Sequence, residues 1–391
     1  MVNHSNKASD TLKAQNKTTV NTLRSHLKTS TSALLKHGLL EAYDLPPKHA
    51  GVGLARKLGM DLAAERLKQV GQPTAPIINL DADCQVSANY FIALEAHFKA
   101  YPQTPGASLY YAHPLTGNLP PAHYAGIVYY ELFLRYYTHG LRYAGFPFGF
   151  QTVGSAMAVR ANIYSKVGGM NRRKAGEDFY FLHKVIEQGD FSEINTLTVQ
   201  PSARVSDRVP FGTGKAMADY FEDPDHLHLQ YPLQAFTHLK HWVDCLPALY
   251  NTYKIYNAHK GDESCDEADT EILDLAEALP EIQALDSVLK NFLLAQGLNE
   301  KIKEIWENTT HYESFEKRFF QWFNGFRVMK ALHALRDAYG NAPLILESQR
   351  LLSQRVYDEN ALTVENTQMT ARALLDIYRQ IDRNTEPFLL K

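Results

Sequence analysis

The stretch Pro76-Ile77-Ile78-Asn79-Leu80-Asp81-Ala82-Asp83-Cys84-Gln85-Val86 decides how the chain is read. An apolar run, Ile77, Ile78 and Leu80, ends in two acids one residue apart, Asp81 and Asp83. Apolar residues held between a proline and an acidic turn read as a short buried strand. Open α/β sheets bind ligands beyond the carboxyl ends of their strands, which is where this spacing puts both carboxylates. Hard oxygen donors in that position suit Mg²⁺ or Mn²⁺, ions usually held by one or two carboxylates plus substrate phosphates. Asp is also a common turn residue, and an Asp-x-Asp by itself says no more than that. The surrounding segments decide between the two readings.

Upstream, Val2-Asn3-His4-Ser5 resembles the end of a strand, residues 16–36 form a loosely amphipathic helix, and residues 38–45 read as a strand stopped by Pro46-Pro47. A glycine-bearing loop with Gly51 and Gly53 then runs into a helix reaching about residue 70, with Lys48, Arg56 and Lys57 as fixed positive charge. Backbone N–H groups at such a helix start can hold an anion, although a turn leading into a solvated basic helix has the same composition. Downstream come a helix near residues 88–100, a strand at 108–112, and an aromatic helix followed by a Gly/Phe/Pro loop over residues 124–150. Residues 153–160 read as a further strand, and Val167-Gly168-Gly169-Met170 as a turn. Glu177 and Asp178 open the next helix, where acids complement the helix dipole or, alternatively, supply a general base facing Asp81 and Asp83. The segment 202–214, with Arg204, Arg208, Gly212 and Gly214, is a basic loop suited to covering a phosphate.

From Asp219 glycine becomes rare and helical patterns take over. Phe315, Phe319, Phe323, Phe326, Met329, Leu332 and Leu335 mark one face of a single long helix, and residues 342–357 and 363–381 read as two more. Residues 261–271 form an acidic stretch without the ligand spacing of a calcium loop, and read as a linker. The expected organisation is therefore an α/β domain over residues 1–218 and a helical region over 219–391.

Composition bounds the rest. With 45% hydrophobic and 21% charged residues the chain is globular. Its formal net charge of −3 gives no reason to expect a nucleic-acid partner. Three scattered cysteines (Cys84, Cys245 and Cys265) suggest neither a disulfide framework nor a zinc site, and point to a cytoplasmic protein. No apolar run reaches the ~18–20 residues of a membrane helix. The nearest, residues 125–137, is broken by Glu131 and Arg135; its aromatic rings fit a core or substrate wall, or peripheral association with the inner face of the membrane.

Taken together, the order of residues 50–59, 80–84, 153–178 and 202–214 resembles the family 2 glycosyltransferases, enzymes of the GT-A fold, over about residues 2–214. The pairing of Asp81-Ala82-Asp83 with Glu177-Asp178 after a Gly-Gly turn is the specific part. The resemblance implies a mixed, mostly parallel sheet flanked by helices, with residues 77–80 at its centre. It also implies roles: Asp83 and Asp81 bind Mn²⁺ or Mg²⁺ and the donor diphosphate or ribose, and Arg56 lies near the nucleotide. Asp178 deprotonates the acceptor hydroxyl, and Glu177 helps to place acceptor or base. The implied reaction moves a sugar from a nucleotide-diphospho-sugar donor to a saccharide or glycolipid acceptor with inversion, in polysaccharide or glycoconjugate assembly. Such enzymes begin with a strand and a Pro-x-x-Asn/Glu-like turn that cradles the nucleotide base, for which this sequence has no counterpart. The expectation is either an N-terminally shortened domain or an unusual one, with an exposed strand edge near Val2 or Leu40 and little discrimination between bases.

Two other readings compete. A catalytically impaired relative would bind a saccharide or a partner without turnover; the four retained acids oppose it. A nucleotidyltransferase also uses paired carboxylates and a metal, but calls for a glycine- and lysine-rich loop near its start that this sequence lacks.

Overall fold

The computed structural model describes residues 1–29, 36–48, 50–173, 176–206, 212–252, 275, 279–354 and 369–388. The acidic stretch 261–271, Cys265 and Arg208 lie outside them. The fold is mixed α/β.

The chain opens with β1 (Val2–Ser5), α1 (Asp10–Thr29) and β2 (Glu41–Leu45), a parallel strand pair joined by a helix. This pair forms a two-stranded sheet of its own, and α1 buries only Val20. Next come α2 (Val52–Gln69), β3 (Pro76–Asn79), β4 (Gln85–Val86), α3 (Tyr90–Ala100), β5 (Gly106–Tyr111) and α4 (Pro121–Tyr143). They are followed by β6 (Met157–Arg160), α5 (Ala161–Lys166), α6 (Glu177–Ile186), β7 (Ser192–Gln200) and α7 (Thr213–Glu222).

The main sheet has the order β3-β6-β5-β7-β4. Only β5 and β7 run parallel; β3–β6, β5–β6 and β7–β4 are antiparallel. The expected mostly parallel sheet with residues 77–80 at its centre is thus corrected on both counts. Strand β6 lies between β3 and β5 and runs against each, while among the described residues β3 pairs with β6 alone and forms an edge. An edge suits Pro76, which has no N–H to give a second neighbour. The central strand is β5, whose residues are all buried, as expected of a strand covered on both faces.

Apolar packing explains how this sheet carries a site. Met60 of α2, Ile77 of β3, Val159 of β6 and Phe181, Leu182 and Val185 of α6 form one cluster, which clamps α2 and α6 to the same end of the sheet. A larger cluster runs from α4 (Val128, Leu132, Tyr136) through α8 (Leu233–Asp244) to the final helix. It takes in α9 (Ser287–Ala295), α10 (Leu298–Glu307), α11 (Tyr312–Trp322) and α12 (Gly325–Tyr339), then α13 (Leu344–Gln354) and α14 (Ala371–Asn384). Helix α4 is therefore common to the α/β part and the helical part. Its aromatic stretch is core: Leu132 and Tyr136 have no measurable exposure. Among the described residues no helix is long and apolar enough to cross a membrane.

The single long helix expected from Phe315 to Leu335 is two, α11 and α12. Asn324 separates them because its side chain accepts the backbone N–H groups of Phe326 (3.2 Å) and Arg327 (3.3 Å) and so starts a new helix. The apolar spacing stays in phase across the break, which is why the sequence pattern hides it.

Candidate active site

Arg56 lies in α2, four residues after the helix begins. Its guanidinium donates to Asp81 just beyond β3 (2.9 Å and 3.2 Å) and is ion-paired with Glu177 at the start of α6. The Asp178 carboxylate is 3.9 Å away. Three of the sequence-predicted acids, from two distant segments, thus converge on one arginine.

The backbone makes room for this. Gly176, at φ 67°, takes the left-handed conformation that turns the chain into α6 and aims Glu177 inward. Gly154 faces the Arg56 guanidinium so closely that any Cβ would collide with it. Gly53 is buried where a Cβ would strike the Arg173 carbonyl oxygen; this packing accounts for the glycine that the sequence suggested as a phosphate contact. Gly51 precedes α2 in an extended conformation, also on the N-terminal side of Arg56.

Electrostatics separates the acids. Glu177 is 1% exposed, and burial, then the neighbouring Asp178, push its carboxyl above the ordinary value against the pull of Arg56. Burial also raises Asp178, although Arg56 and the backbone amides of Phe179 (2.8 Å) and Gly154 favour its charged form. Its side chain keeps 24% exposure, so it remains reachable from outside. Burial works against the charge of Arg56, but Asp81, Glu177 and Asp178 outweigh it and make the guanidinium harder to deprotonate.

Asp83 points to a different partner. Arg204, in the segment before α7, donates to its Oδ2 through Nε and a terminal nitrogen, each at 2.8 Å. Both side chains are about 40% exposed (43% and 40%), so this pair is weak and readily exchanged. The turn holding the two aspartates is closed by the Cys84 N–H on the Asp81 carbonyl (3.0 Å).

As a metal site, the turn offers two accessible carboxylates. Among the described residues no group of three or more His, Cys, Asp or Glu side chains is arranged to hold an ion. Two carboxylates fit Mg²⁺ or Mn²⁺ when phosphate oxygens complete the coordination.

Several residues of the site carry little local signal in the sequence. In the sequence Gly154 reads only as part of a strand, yet it spaces Arg56, and its backbone amide favours the charged form of Asp178. In the sequence Glu131 and Arg135 stand out only as interruptions of an apolar run. Glu131 is fully buried and accepts from the His113 amide (2.8 Å), Arg135 (2.8 Å) and Arg379 of α14 (2.7 Å). Burial alone would raise its carboxyl, but Arg135, His113 and Arg379 hold it well below the usual range. Asp382 of α14 is likewise paired with Arg135 and His139. An acid and a base four apart on a helix were a signal, since fully buried charges are rare unless paired.

No protein-family model, curated protein or solved structure matches the chain.

Proposed function

We propose that the protein is an inverting glycosyltransferase of the GT-A type, using a nucleotide-diphospho-sugar donor and a saccharide or glycolipid acceptor. The observation that carries this reading is the convergence of Asp81, Glu177 and Asp178 on Arg56, joining the two motifs on which the family resemblance rests. In this reading Asp178 takes the proton of the acceptor hydroxyl as that oxygen attacks the anomeric carbon. Its raised affinity for a proton, from burial, favours that task over the ordinary carboxylate. Glu177 stays fixed to Arg56 and keeps the start of α6 in place. Arg56 and Arg204 meet the negative charge of the diphosphate, each exchanging a carboxylate for phosphate oxygens. Asp81 and Asp83, once released, would hold Mn²⁺ or Mg²⁺, whose bound form neutralises charge developing on the leaving diphosphate. One base and one leaving group on opposite sides of the sugar give a single displacement with inversion.

The test is release of nucleoside diphosphate from a panel of nucleotide sugars with Mn²⁺ and saccharide acceptors. Turnover by the native protein and its loss in Asp178→Asn support the reading; no turnover with any donor opposes it. The second reading, a non-catalytic saccharide- or partner-binding protein, is favoured by a specific observation. Asp81, Asp83 and Glu177 all already hold an arginine, as a purely structural ion-pair cluster would. Saccharide binding without turnover would support it.

A further inference from the structure

We propose that the C-terminal helix α14 positions the phosphate-facing Arg204 arm, with Arg379 and His113 as positioning residues; this rests on the donor-site reading above. Arg379 grips both oxygens of Glu131, at 2.8 Å and 2.7 Å, and donates to the His113 carbonyl at 2.9 Å. Glu131 in turn holds His113 by its backbone N–H (2.8 Å) and by Nδ1 (3.0 Å). With Nδ1 and the backbone so fixed, the opposite ring nitrogen of His113 reaches Thr213 Oγ1 at 3.4 Å.

Thr213 is the first residue of α7, and the turn that follows holds the arm. The Ser206 N–H donates to the Gly214 carbonyl at 3.2 Å, two residues beyond Arg204. On the other side of Arg204, Ala203 is 1% exposed and packs with Ile127 of α4 and Met217 of α7. An exposed arginine is thereby carried on a backbone fixed at both sides. One fixation traces back through a buried, charge-assisted network to α14, which explains why a helical region far along the chain is joined to the sheet by ionic contacts as well as apolar ones. Buried networks of this kind hold geometry because partial satisfaction is costly. The Thr213 contact is the weakest link and the one through which the arm can be loosened without unfolding the core.

The experiment is calorimetric titration of inorganic pyrophosphate with Mn²⁺ into the full chain and into Arg204→Ala, Arg379→Gln, Thr213→Val and Thr213→Ser, beside a thermal melt of each. Losing a charged hydrogen-bond donor in Arg204→Ala should weaken binding roughly 10-fold. Arg379→Gln and Thr213→Val should weaken it about 3-fold or more, and Thr213→Ser should restore it. If Arg204→Ala binds like the native protein, the donor-site reading fails and this inference with it. If Arg204→Ala weakens binding while Thr213→Val and Arg379→Gln change only the melt, the donor site stands and the positioning role is overturned. Should Arg379→Gln not fold, the Thr213 pair decides alone.

Discussion

The guanidinium of Arg56 is ion-paired with Glu177, a residue 121 positions away and almost fully buried. That contact joins α2 to α6 across the end of the sheet and brings Asp81 and Asp178 to the same charge. It is both a structural pin and the centre of the candidate site, so its removal should be felt in stability and in chemistry.

Arg56→Ala leaves the Glu177 carboxylate buried without its partner. Breaking a buried pair by removing one member typically costs about 3–5 kcal/mol. A fall of that size in the free energy of urea unfolding is expected, with Arg56→Lys falling less. Unfolding indistinguishable from the native protein would show that Glu177 is neutral or finds another donor.

Asp178→Asn separates chemistry from stability. Asp178 and Glu177 both have carboxyl pKa values raised in the fold, so a proton is bound more tightly there than in the unfolded chain. Their favourable contribution is present at acid pH and is lost as the pH rises through the folded values, so that ionised Asp178 is a cost at neutral pH. The amide variant should melt no lower than the native protein while turnover falls by the ~10²–10⁴-fold of a lost general base. Retained turnover would remove Asp178 from the mechanism.

Glu131 and Asp382 have the opposite sign. Their carboxyl pKa values are depressed by paired arginines and histidines, so the stability they bring is complete above the ordinary carboxylate range. It is lost as the pH falls below about 4, toward the folded values. The free energy of urea unfolding of the native protein should drop over that acid range, and that of Glu131→Gln should start lower by about 3–5 kcal/mol and lose less on acidification. Parallel pH profiles for the two proteins would contradict this account.

Mn²⁺ binding should be weak without a nucleotide diphosphate, because among the described residues no group of three or more ligating side chains surrounds Asp81 and Asp83, and each of these is held by an arginine. Titration of Mn²⁺ alone and with nucleoside diphosphate should show a gain that Asp83→Ala removes. Tight binding of Mn²⁺ alone, unchanged in Asp83→Ala, would place the ion elsewhere.

By itself the sequence determined what local pattern can encode. The apolar run before Asp81 gave a strand at Pro76–Asn79, Pro46 marked the end of Glu41–Leu45, and the acids after the Gly-Gly turn marked the start of α6. Strand order and charge partners were decided only by the tertiary structure. Nothing in residues 76–79 says that β6 lies on one side and, among the described residues, no strand of the main sheet on the other, because edge and centre differ in neighbours rather than in period. Nor does Arg56 announce three carboxylates from segments that meet only when Phe181 and Met60 are packed into one core. The buried Glu131–Arg135 pair was visible as charge in an apolar helix, but Arg379 and Asp382 come from a helix some 250 residues later (248 and 247). Turn chemistry and hydrophobic period are set by neighbours along the chain, whereas a buried ion finds its partner only once the intervening chain has folded around it.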